Sequence, residues 1–238
     1  MNSFDVGIVL YVNQLAHRWF ALDATVSLIA SDSLIKGGVI VALLWWAWFR
    51  ASEKRAIDRE FLSCGIVTAF LSLLVARTLA ELLPYRERPL HTPALHFQMP
   101  YHSNESILIH WSSFPSDHAA LFCALSLSIY FVSRRVGLAA LCYTLVVICL
   151  PRIYMGFHYP SDIIAGGLIG AGSAALSQIT AFRQSVGHAA SRWVERSPGV
   201  FYAGFFLVTF QIAVTFDPLR QIVRYLIEMV KVVSGQPS

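Results

Sequence analysis

The sequence predicts an all-α integral membrane protein, a six-helix bundle with an N-terminal interfacial helix and a C-terminal amphipathic helix. Of its 238 residues, 56% are hydrophobic and only 13% are charged, which is too apolar for an ordinary soluble protein. Apolar runs of roughly 17 to 25 residues recur along the chain, the length that a transmembrane helix needs. The two-residue alternation that is typical of half-buried strands does not appear.

The elements follow from these runs in order. Polar residues interrupt residues 1–32, so we expect a helix that lies along the membrane surface. Candidate spans follow at 33–49, 60–83, 116–133, 137–153, 159–181 and 198–216. The tail 217–238 mixes charged and aliphatic residues and is predicted to be a surface amphipathic helix with Asp217 as its N-cap. We treat residues 1–238 as one domain whose motif-bearing core is 60–181.

The cysteines and the net charge exclude some classes of protein. Four cysteines fall inside apolar runs without metal-type spacing, and we expect buried thiols rather than disulfides: Cys64, Cys123, Cys142 and Cys149. The net charge of +4 is spread over the loops rather than gathered into a stripe, so a nucleic-acid partner is not expected.

The lysines and arginines predict the orientation of the bundle, because cytoplasmic loops are enriched in them. One side carries nine: Arg50, Lys54, Arg55, Arg59, Arg134, Arg135, Arg183, Arg192 and Arg196. The other carries Arg18, Arg86, Arg88, Arg152, Arg220, Arg224 and Lys231. Three of these lie in polar motifs, which leaves four for the comparison, so the first side is predicted to be cytoplasmic and the motifs to face outward.

The outward connection Pro84 to Pro115 contains four histidines: His91, His96, His102 and His110. Their spacing matches no standard zinc pattern, and we expect solvated loop histidines. The fifth predicted span is rich in glycine, and we interpret four of its glycines as helix-packing positions: Gly166, Gly167, Gly170 and Gly172.

Each outward junction carries one polar cluster. These clusters are residues 86–89 (Arg-Glu-Arg-Pro), 114–118 (Phe-Pro-Ser-Asp-His) and 152–162, which begins with arginine and ends His-Tyr-Pro-Ser-Asp. Because all three junctions fall on the same side of the bundle, we expect them to meet. Charged groups at the edge of an apolar segment are functional candidates, since burying them without a partner or ligand is costly.

The clusters favour a phosphate ligand. Arginine forks match phosphate oxygens, and they stay charged at neutral pH. Ser116 stands where a helix N-cap belongs and Pro160 suits a first helical turn. The free N–H groups at both helix starts are therefore expected to point at the same anion.

Two histidines suit phosphoryl transfer. One imidazole attacks phosphorus while the other protonates the leaving oxygen and later activates water. Asp162 follows His158 by four residues, with Pro160 between them. It is therefore expected in the first turn of the next helix, where it accepts a hydrogen bond from one nitrogen of the His158 ring.

These residues resemble the type 2 phosphatidic acid phosphatases, a superfamily shared with the vanadium-dependent haloperoxidases. The pair Arg88-Pro89 matches the end of the first family motif. Pro115, Ser116 and His118 match the second motif, and Arg152, His158 and Asp162 match the third. The resemblance covers about residues 60–181.

The resemblance implies a role for each matched residue. His158 is the nucleophile that becomes phosphohistidine, Asp162 orients it, and His118 is the general acid. Arg88, Arg152 and the Ser116 region hold phosphate oxygens. No metal or other cofactor is required in such phosphatases.

Within the superfamily the motifs look most like those of the bacterial undecaprenyl-diphosphate phosphatases of the bacitracin-resistance type. That implies a multi-pass protein of the bacterial cytoplasmic membrane, with an outward-facing site and a lipid phosphate as substrate. A phosphatase of another lipid stays open, acting on phosphatidic acid, phosphatidylglycerophosphate or a lipid A phosphate. So does a transporter that binds lipid phosphate without cleaving it. The oligomeric state is not predicted.

This chain departs from the family pattern at three positions. Glu81 replaces the lysine of the first motif, and a carboxylate there does not bind phosphate directly. Arg86 is the preferred substitute, and Arg77, which can also pair with Glu81 on the same helix face, is the other candidate. Asp117 replaces a glycine, and it is expected to hold an arginine or a water molecule. Pro151 replaces a serine, which removes one phosphate donor.

Overall fold

A computed structural model describes residues 2–101, 108 and 111–215, and the regular structure of these residues is helical throughout. The α-helices are α1 (Ser3–Asn13), α2 (Phe20–Ser31), α3 (Val39–Phe49), α4 (Arg55–Leu82), α5 (Asp117–Val132), α6 (Arg134–Tyr143), α7 (Leu150–Tyr154), α8 (Pro160–Ala175), α9 (Thr180–Arg196) and α10 (Pro198–Ala213). Wider π-helical turns precede α3 and α7, at Leu34–Gly38 and Thr144–Cys149. Single 3-10 turns occur at Pro89–His91, Pro93–Leu95 and Leu176–Gln178.

Helix length and composition give two to four membrane spans among the described residues. Two helical stretches suffice alone, Arg55–Leu82 and Arg134–Tyr154. Two further pairs qualify only if each bent pair is one span: Phe20–Ser31 with Leu34–Phe49, bent by 66°, and Pro160–Gln178 with Thr180–Arg196, bent by 82°. Helices α5 and α10 are apolar but shorter, at 16 residues each. The protein is an all-helical membrane protein, and six spans stay a prediction.

The N-terminal segment forms two helices, α1 and α2. The prediction of a single interfacial helix is therefore wrong. Three of its polar residues turn inward, since Asp5, Asn13 and Asp23 are buried. Asn13 exchanges two hydrogen bonds with the backbone of Gln98, at 2.7 and 2.9 Å. Asp23 accepts a hydrogen bond from the Tyr154 hydroxyl. These residues therefore hold the N-terminal segment against the connection between α4 and α5 and against α7. The predicted tail helix 217–238 and its Asp217 cap lie outside the described residues.

Helices α4, α5 and α8 pack together at the centre of the molecule. A Cβ atom on Gly166 would lie 2.2 Å from the Ser116 carbonyl oxygen, and one on Gly170 would lie 2.4 Å from the Ala120 carbonyl oxygen. The packing role is confirmed at these two glycines, whereas Gly172 has no such neighbour within 4 Å. The close approach places the first turns of α5 and α8 side by side.

The four cysteines are free. Cys64, Cys123 and Cys149 are buried, as predicted for small apolar side chains. The prediction is wrong for Cys142, which is exposed on α6.

Candidate active site

The three polar junctions meet at one end of the bundle, as predicted from topology. The Ser116 N–H donates to the Asp162 carbonyl oxygen at 3.0 Å, which joins the second junction to the third. The Ser113 N–H donates to the Arg86 carbonyl oxygen at 2.9 Å, which joins the second to the first. Motifs far apart in the chain therefore form a single site.

His158 lies in the loop between α7 and α8 and is buried. Its Nδ1 is 2.8 Å from the Ser113 carbonyl oxygen, and because a carbonyl only accepts, Nδ1 carries the hydrogen. The Nε2 atom is then the basic nitrogen of the neutral ring. The loop is held by the Arg152 carbonyl oxygen, which accepts the His158 N–H at 3.2 Å.

The environment of His158 favours the neutral ring. Burial lowers the pKa of His158 below its ordinary value, although the neighbouring Asp162 carboxylate acts in the opposite direction. The imidazole is therefore uncharged at neutral pH. Only the neutral ring has a lone pair with which to attack phosphorus.

Asp162 lies in the first turn of α8, as predicted, and is fully buried. Its Oδ2 accepts the Tyr159 N–H at 2.7 Å and lies 3.7 Å from His158 Nδ1, too far for a hydrogen bond. The predicted hydrogen bond from the ring is therefore replaced by the one to the Ser113 carbonyl oxygen. Asp162 instead caps the turn that carries His158 and presents its charge to the ring.

Arg86 links Asp162 to a residue that sequence reasoning did not assign to the site. Its Nη1 donates to Asp162 Oδ1 at 2.6 Å and its Nη2 donates to Asp5 Oδ2 at 2.7 Å. Asp5 also accepts the Ser161 N–H at 2.9 Å and the Ser161 hydroxyl at 2.6 Å. In the sequence, the feature that could have indicated this role is that Asp5 is a lone carboxylate inside the otherwise apolar helix α1.

The hydrogen bonds around Asp5 keep it ionised. Burial alone would raise the pKa of Asp5, but hydrogen bonds from Ser161 and Arg86 outweigh that effect and hold the pKa below its ordinary value. Asp5, Arg86 and Asp162 thus form a charged network beneath the His158 loop. The phosphate role of Arg86 stays a prediction.

Arg88 is buried and ties the two histidine-bearing junctions together. Its guanidinium donates to the carbonyl oxygens of Trp111 and Ser112, each at 3.0 Å, and to that of Phe157. Burial lowers the pKa of Arg88 to about 10, which leaves the group charged at neutral pH. These contacts use some of the five guanidinium N–H groups, so the phosphate role of Arg88 also stays a prediction.

Arg152 lies at the end of α7 and is buried. Its guanidinium is 5.7 Å from the centre of the Phe157 ring. Its charge also acts on the His118 imidazole, so this cation and both histidines belong to one site. The phosphate role of Arg152 stays a prediction.

The capping predictions are confirmed, but the prediction of free helix N–H groups is wrong. Ser116 is the N-cap of α5, where its hydroxyl accepts the Ala119 N–H at 3.4 Å, and Pro160 opens α8. In α8 the Ser161 N–H is taken by Asp5. In α5 the His118 N–H is taken by Asp117 at 2.8 Å. Carboxylates of the protein itself occupy these anion-binding positions, because a helix start attracts negative charge.

His118 lies in the first turn of α5 beside Asp117. The Asp117 Oδ1 accepts the His118 Nδ1–H at 2.9 Å. As in His158, Nε2 is then the ring nitrogen that can interact with other groups. Asp117 Oδ2 is paired with Arg77 Nη2, and the Arg77 guanidinium lies 4.6 Å from the centre of the Trp111 ring. The predicted Arg77–Glu81 pair is therefore not the one that forms. Of the two partners predicted for Asp117, an arginine or a water molecule, the structure has the arginine.

The described histidines of the loop do not form a metal-type cluster with other described residues. Among the described residues, no three histidine, cysteine or acidic side chains group closely enough to hold an ion. His91 and His96 lie in or beside the 3-10 turns after α4. His102 and His110 lie outside the described residues.

Comparison with known proteins gives the family. Residues 61–185 match the PAP2 superfamily, which is more than half of the 238 residues. Undecaprenyl-diphosphatase BcrC of Bacillus subtilis (strain 168) is 26% identical over 158 residues, covering 66% of this chain and 74% of that protein. An Escherichia coli (strain K12) protein provisionally named undecaprenyl-diphosphatase YbjG is 27% identical over 160 residues, covering 67% of this chain and 73% of that protein.

A third relative carries a name of a different kind. Bacitracin transport permease protein BcrC of Bacillus licheniformis is 26% identical over 173 residues, covering 73% of this chain and 78% of that protein. No solved structure matches this chain. Since the matched segment holds all three junctions and more than half of the residues, the chain belongs to the PAP2 superfamily and is a hydrolase of the phosphatase type.

Proposed function

We propose that the protein removes the terminal phosphate of a polyprenyl diphosphate, converting undecaprenyl diphosphate to undecaprenyl phosphate through a phosphohistidine intermediate. The observation that carries the mechanism is the pair of histidines in one site. Each ring donates its Nδ1–H to a protein oxygen, which directs chemistry to Nε2. The names of two relatives at 26% and 27% identity support this substrate.

In the first step His158 Nε2 attacks the terminal phosphorus, and a nitrogen–phosphorus bond forms as the bond to the leaving oxygen breaks. His118, carrying a proton on Nε2, gives that proton to the leaving oxygen. In the second step water attacks the phosphohistidine while His118 Nε2 takes a proton from the water. Inorganic phosphate leaves and both rings return to their starting states.

The cations around the two rings stabilise the transferring phosphoryl group. Arg152 supplies its buried guanidinium, and Arg88 supplies the N–H groups that the loop carbonyls do not use. The Ser116 hydroxyl has a hydrogen to donate, because it only accepts in its capping bond. Arg86 acts through Asp162, which fixes the His158 turn and offsets the positive charge that the phosphorylated ring acquires.

The site faces outward from the bacterial cytoplasmic membrane in this proposal. Six spans account for that orientation, with Leu34–Phe49, α5, Pro160–Gln178 and α10 each crossing as a short helix beside the two longer spans. The excess of arginine and lysine on the opposite side supports the same orientation. The lipid tail then lies among the apolar helices while the diphosphate enters the polar end.

The test is phosphate release by the purified full-length protein with a chelator present, using a panel of lipid phosphates with matched tails. We expect release from a polyprenyl diphosphate, and acid-labile label on His158 after brief reaction with substrate labelled in its terminal phosphate. Faster turnover of phosphatidic acid, phosphatidylglycerophosphate or a lipid A phosphate would replace the proposed substrate. Loss of activity with the chelator would contradict the metal-free mechanism.

A second candidate is a transporter that binds lipid phosphate without cleaving it. The name of the Bacillus licheniformis relative, a transport permease, is the observation that favours it. In that case the same cations would bind the headgroup, and neither histidine would be needed. Substrate binding that survives H118A and H158A, without phosphate release by the unsubstituted protein, would support the transporter and contradict the phosphatase.

A further inference from the structure

The second junction contains an acid–base pair that the general family motif does not predict. Where the motif has glycine, this chain has Asp117, whose Oδ1 accepts both the backbone N–H and the Nδ1–H of His118, at 2.8 and 2.9 Å. One carboxylate oxygen thereby fixes the rotation and the tautomer of the ring. A ring held in this way presents Nε2 in one direction.

The other oxygen of Asp117 is held from a different helix. Arg77, near the outer end of α4, pairs with Asp117 Oδ2. Its guanidinium also lies over the Trp111 ring, at 4.6 Å from the centre, which restricts its movement. The Asp117 carboxylate is thus clamped between Arg77 and His118, and its side chain is only 13% exposed.

The charges near His118 give this clamp a chemical consequence. Burial and the two cations Arg152 and Lys36 favour the neutral imidazole, and together they outweigh the carboxylate of Asp117. Asp117 opposes these effects, because a carboxylate in contact with the ring favours its protonated form. A general acid must hold a proton until the leaving oxygen takes it, so on this ring the acid role depends on the negative charges of Asp117 and of the bound phosphate.

Resting on the phosphatase chemistry proposed above, we propose that Asp117 and Arg77 are positioning residues for general-acid catalysis by His118. Asp117 holds the Nδ1–H and stabilises the imidazolium, while Arg77 holds Asp117. As the phosphorus–oxygen bond breaks, the Nε2 proton of His118 moves to the leaving oxygen and the ring becomes neutral. Arg77 therefore serves the acid rather than the phosphate, although it lies one turn from Glu81, the position of the missing lysine.

A purely structural role makes a different prediction. An acid in the first turn of a helix stabilises that helix through its dipole, whatever its neighbour does. Loss of such an acid would slow the reaction of every substrate by the same factor. Loss of general-acid support instead slows the substrates whose leaving oxygen most needs a proton.

Two esters of nearly equal size separate these roles in the full-length protein. Phenyl phosphate has a poor leaving group, whereas the nitro group of 4-nitrophenyl phosphate stabilises the departing anion without a proton. We expect D117N and R77Q to lower kcat/KM, which reports formation of the phosphoenzyme, by about tenfold or more on phenyl phosphate and by less than about threefold on 4-nitrophenyl phosphate. R77K, which keeps the cation, should recover part of the loss on phenyl phosphate.

The matched control is E81Q, which removes an exposed carboxylate one turn from Arg77 and should leave the ratio of the two rates unchanged. Equal losses on both esters in D117N and R77Q would overturn the positioning role and leave the phosphatase intact. An unsubstituted protein that releases no phosphate from either ester or from a polyprenyl diphosphate would overturn both proposals.

Discussion

His118 and His158 lie at the same end of the molecule, and each donates its Nδ1–H to an oxygen, but the two oxygens differ in charge. His118 bonds to the carboxylate of the adjacent Asp117 at 2.9 Å. His158 bonds to the uncharged backbone carbonyl of Ser113 at 2.8 Å, and its nearest carboxylate, on Asp162, is 3.7 Å away. A carboxylate in contact favours a protonated ring, whereas a carbonyl in a buried site favours a neutral one. The proposed roles of acid and nucleophile rest on this difference between the two bonded oxygens.

The two regions also differ in how far their supports reach along the chain. The carboxylate beside His118 is its immediate neighbour in sequence, and one ion pair from α4 holds it. The support of His158 comes from the α5 junction, from Arg86 and from Asp5 in the first helix. The position of the proposed acid is therefore set largely by local sequence, and that of the proposed nucleophile by tertiary contacts.

The largest effect on activity is expected when His158, the proposed nucleophile, is removed. H158A should lower phosphate release by about 10,000-fold or more on every substrate, because no other group forms the covalent intermediate. The measurement is steady-state phosphate release by the purified variant, with H188A as the control for an exposed histidine on α9. A variant that keeps more than a tenth of the activity would contradict the assignment of His158.

Substituting the other histidine should have a smaller and substrate-dependent effect. We expect H118A to lose about 100- to 1,000-fold on phenyl phosphate, since general acid–base catalysis contributes on that order. With 4-nitrophenyl phosphate the phosphoenzyme should form but hydrolyse slowly, giving a burst of nitrophenol in a rapid-mixing experiment. Absence of the burst together with equal losses on both esters would contradict the acid–base role.

The network beneath His158 should affect both esters alike. D5N removes one carboxylate from Arg86, and we expect about a tenfold loss of kcat on phenyl phosphate and on 4-nitrophenyl phosphate, because the nucleophile is then less well oriented. The free energy of unfolding should fall by about 1–3 kcal/mol. E87Q, which alters the exposed acid next to Arg86, is the control. A loss confined to phenyl phosphate would show that Asp5 serves the acid instead.

The packing of α5 against α8 joins the two regions, and a methyl group at Gly166 should disturb both. Because that Cβ would lie 2.2 Å from the Ser116 carbonyl oxygen, the helices must move apart. We expect G166A to cost about 1–3 kcal/mol of stability and to slow both esters by similar factors. G172A is the matched control, since a Cβ there meets no atom within 4 Å. Unchanged stability in G166A would contradict the close approach.

The smallest expected effect is a displaced pH profile. Protonation inactivates His158 as a nucleophile, and burial lowers its pKa, so kcat/KM should stay level as the pH falls to about 6.5, the ordinary value for histidine, and decline only below it. If kcat/KM declines at the same low pH for phenyl phosphate and for 4-nitrophenyl phosphate, the decline reflects a group of the enzyme rather than of the substrate. A shared decline of kcat/KM with its midpoint above pH 6.5 would contradict the proposal that His158 is a neutral, buried nucleophile.

Much of the helical architecture was predictable because short-range patterns encode it. Apolar runs marked α4 and the segment from α6 to α7, and the caps at Ser116 and Pro160 followed from residue type and position. The N-terminal segment was mispredicted as one surface helix because Asp5, Asn13 and Asp23 look like residues for the headgroup region. Their partners lie about 80 to 160 residues away, at separations that periodicity does not report.

By itself the sequence determined the helical class, the membrane setting, the three motifs and the two histidines, since each depends on residue type within one or two helical turns. Only the tertiary structure decided what each arginine contacts. Arg77 holds Asp117, Arg86 bridges Asp5 and Asp162, and Arg88 binds backbone carbonyls. The physical reason is that a guanidinium binds carboxylates, carbonyls and phosphates through the same N–H groups, so its partner is set by the acceptor that the fold brings within reach.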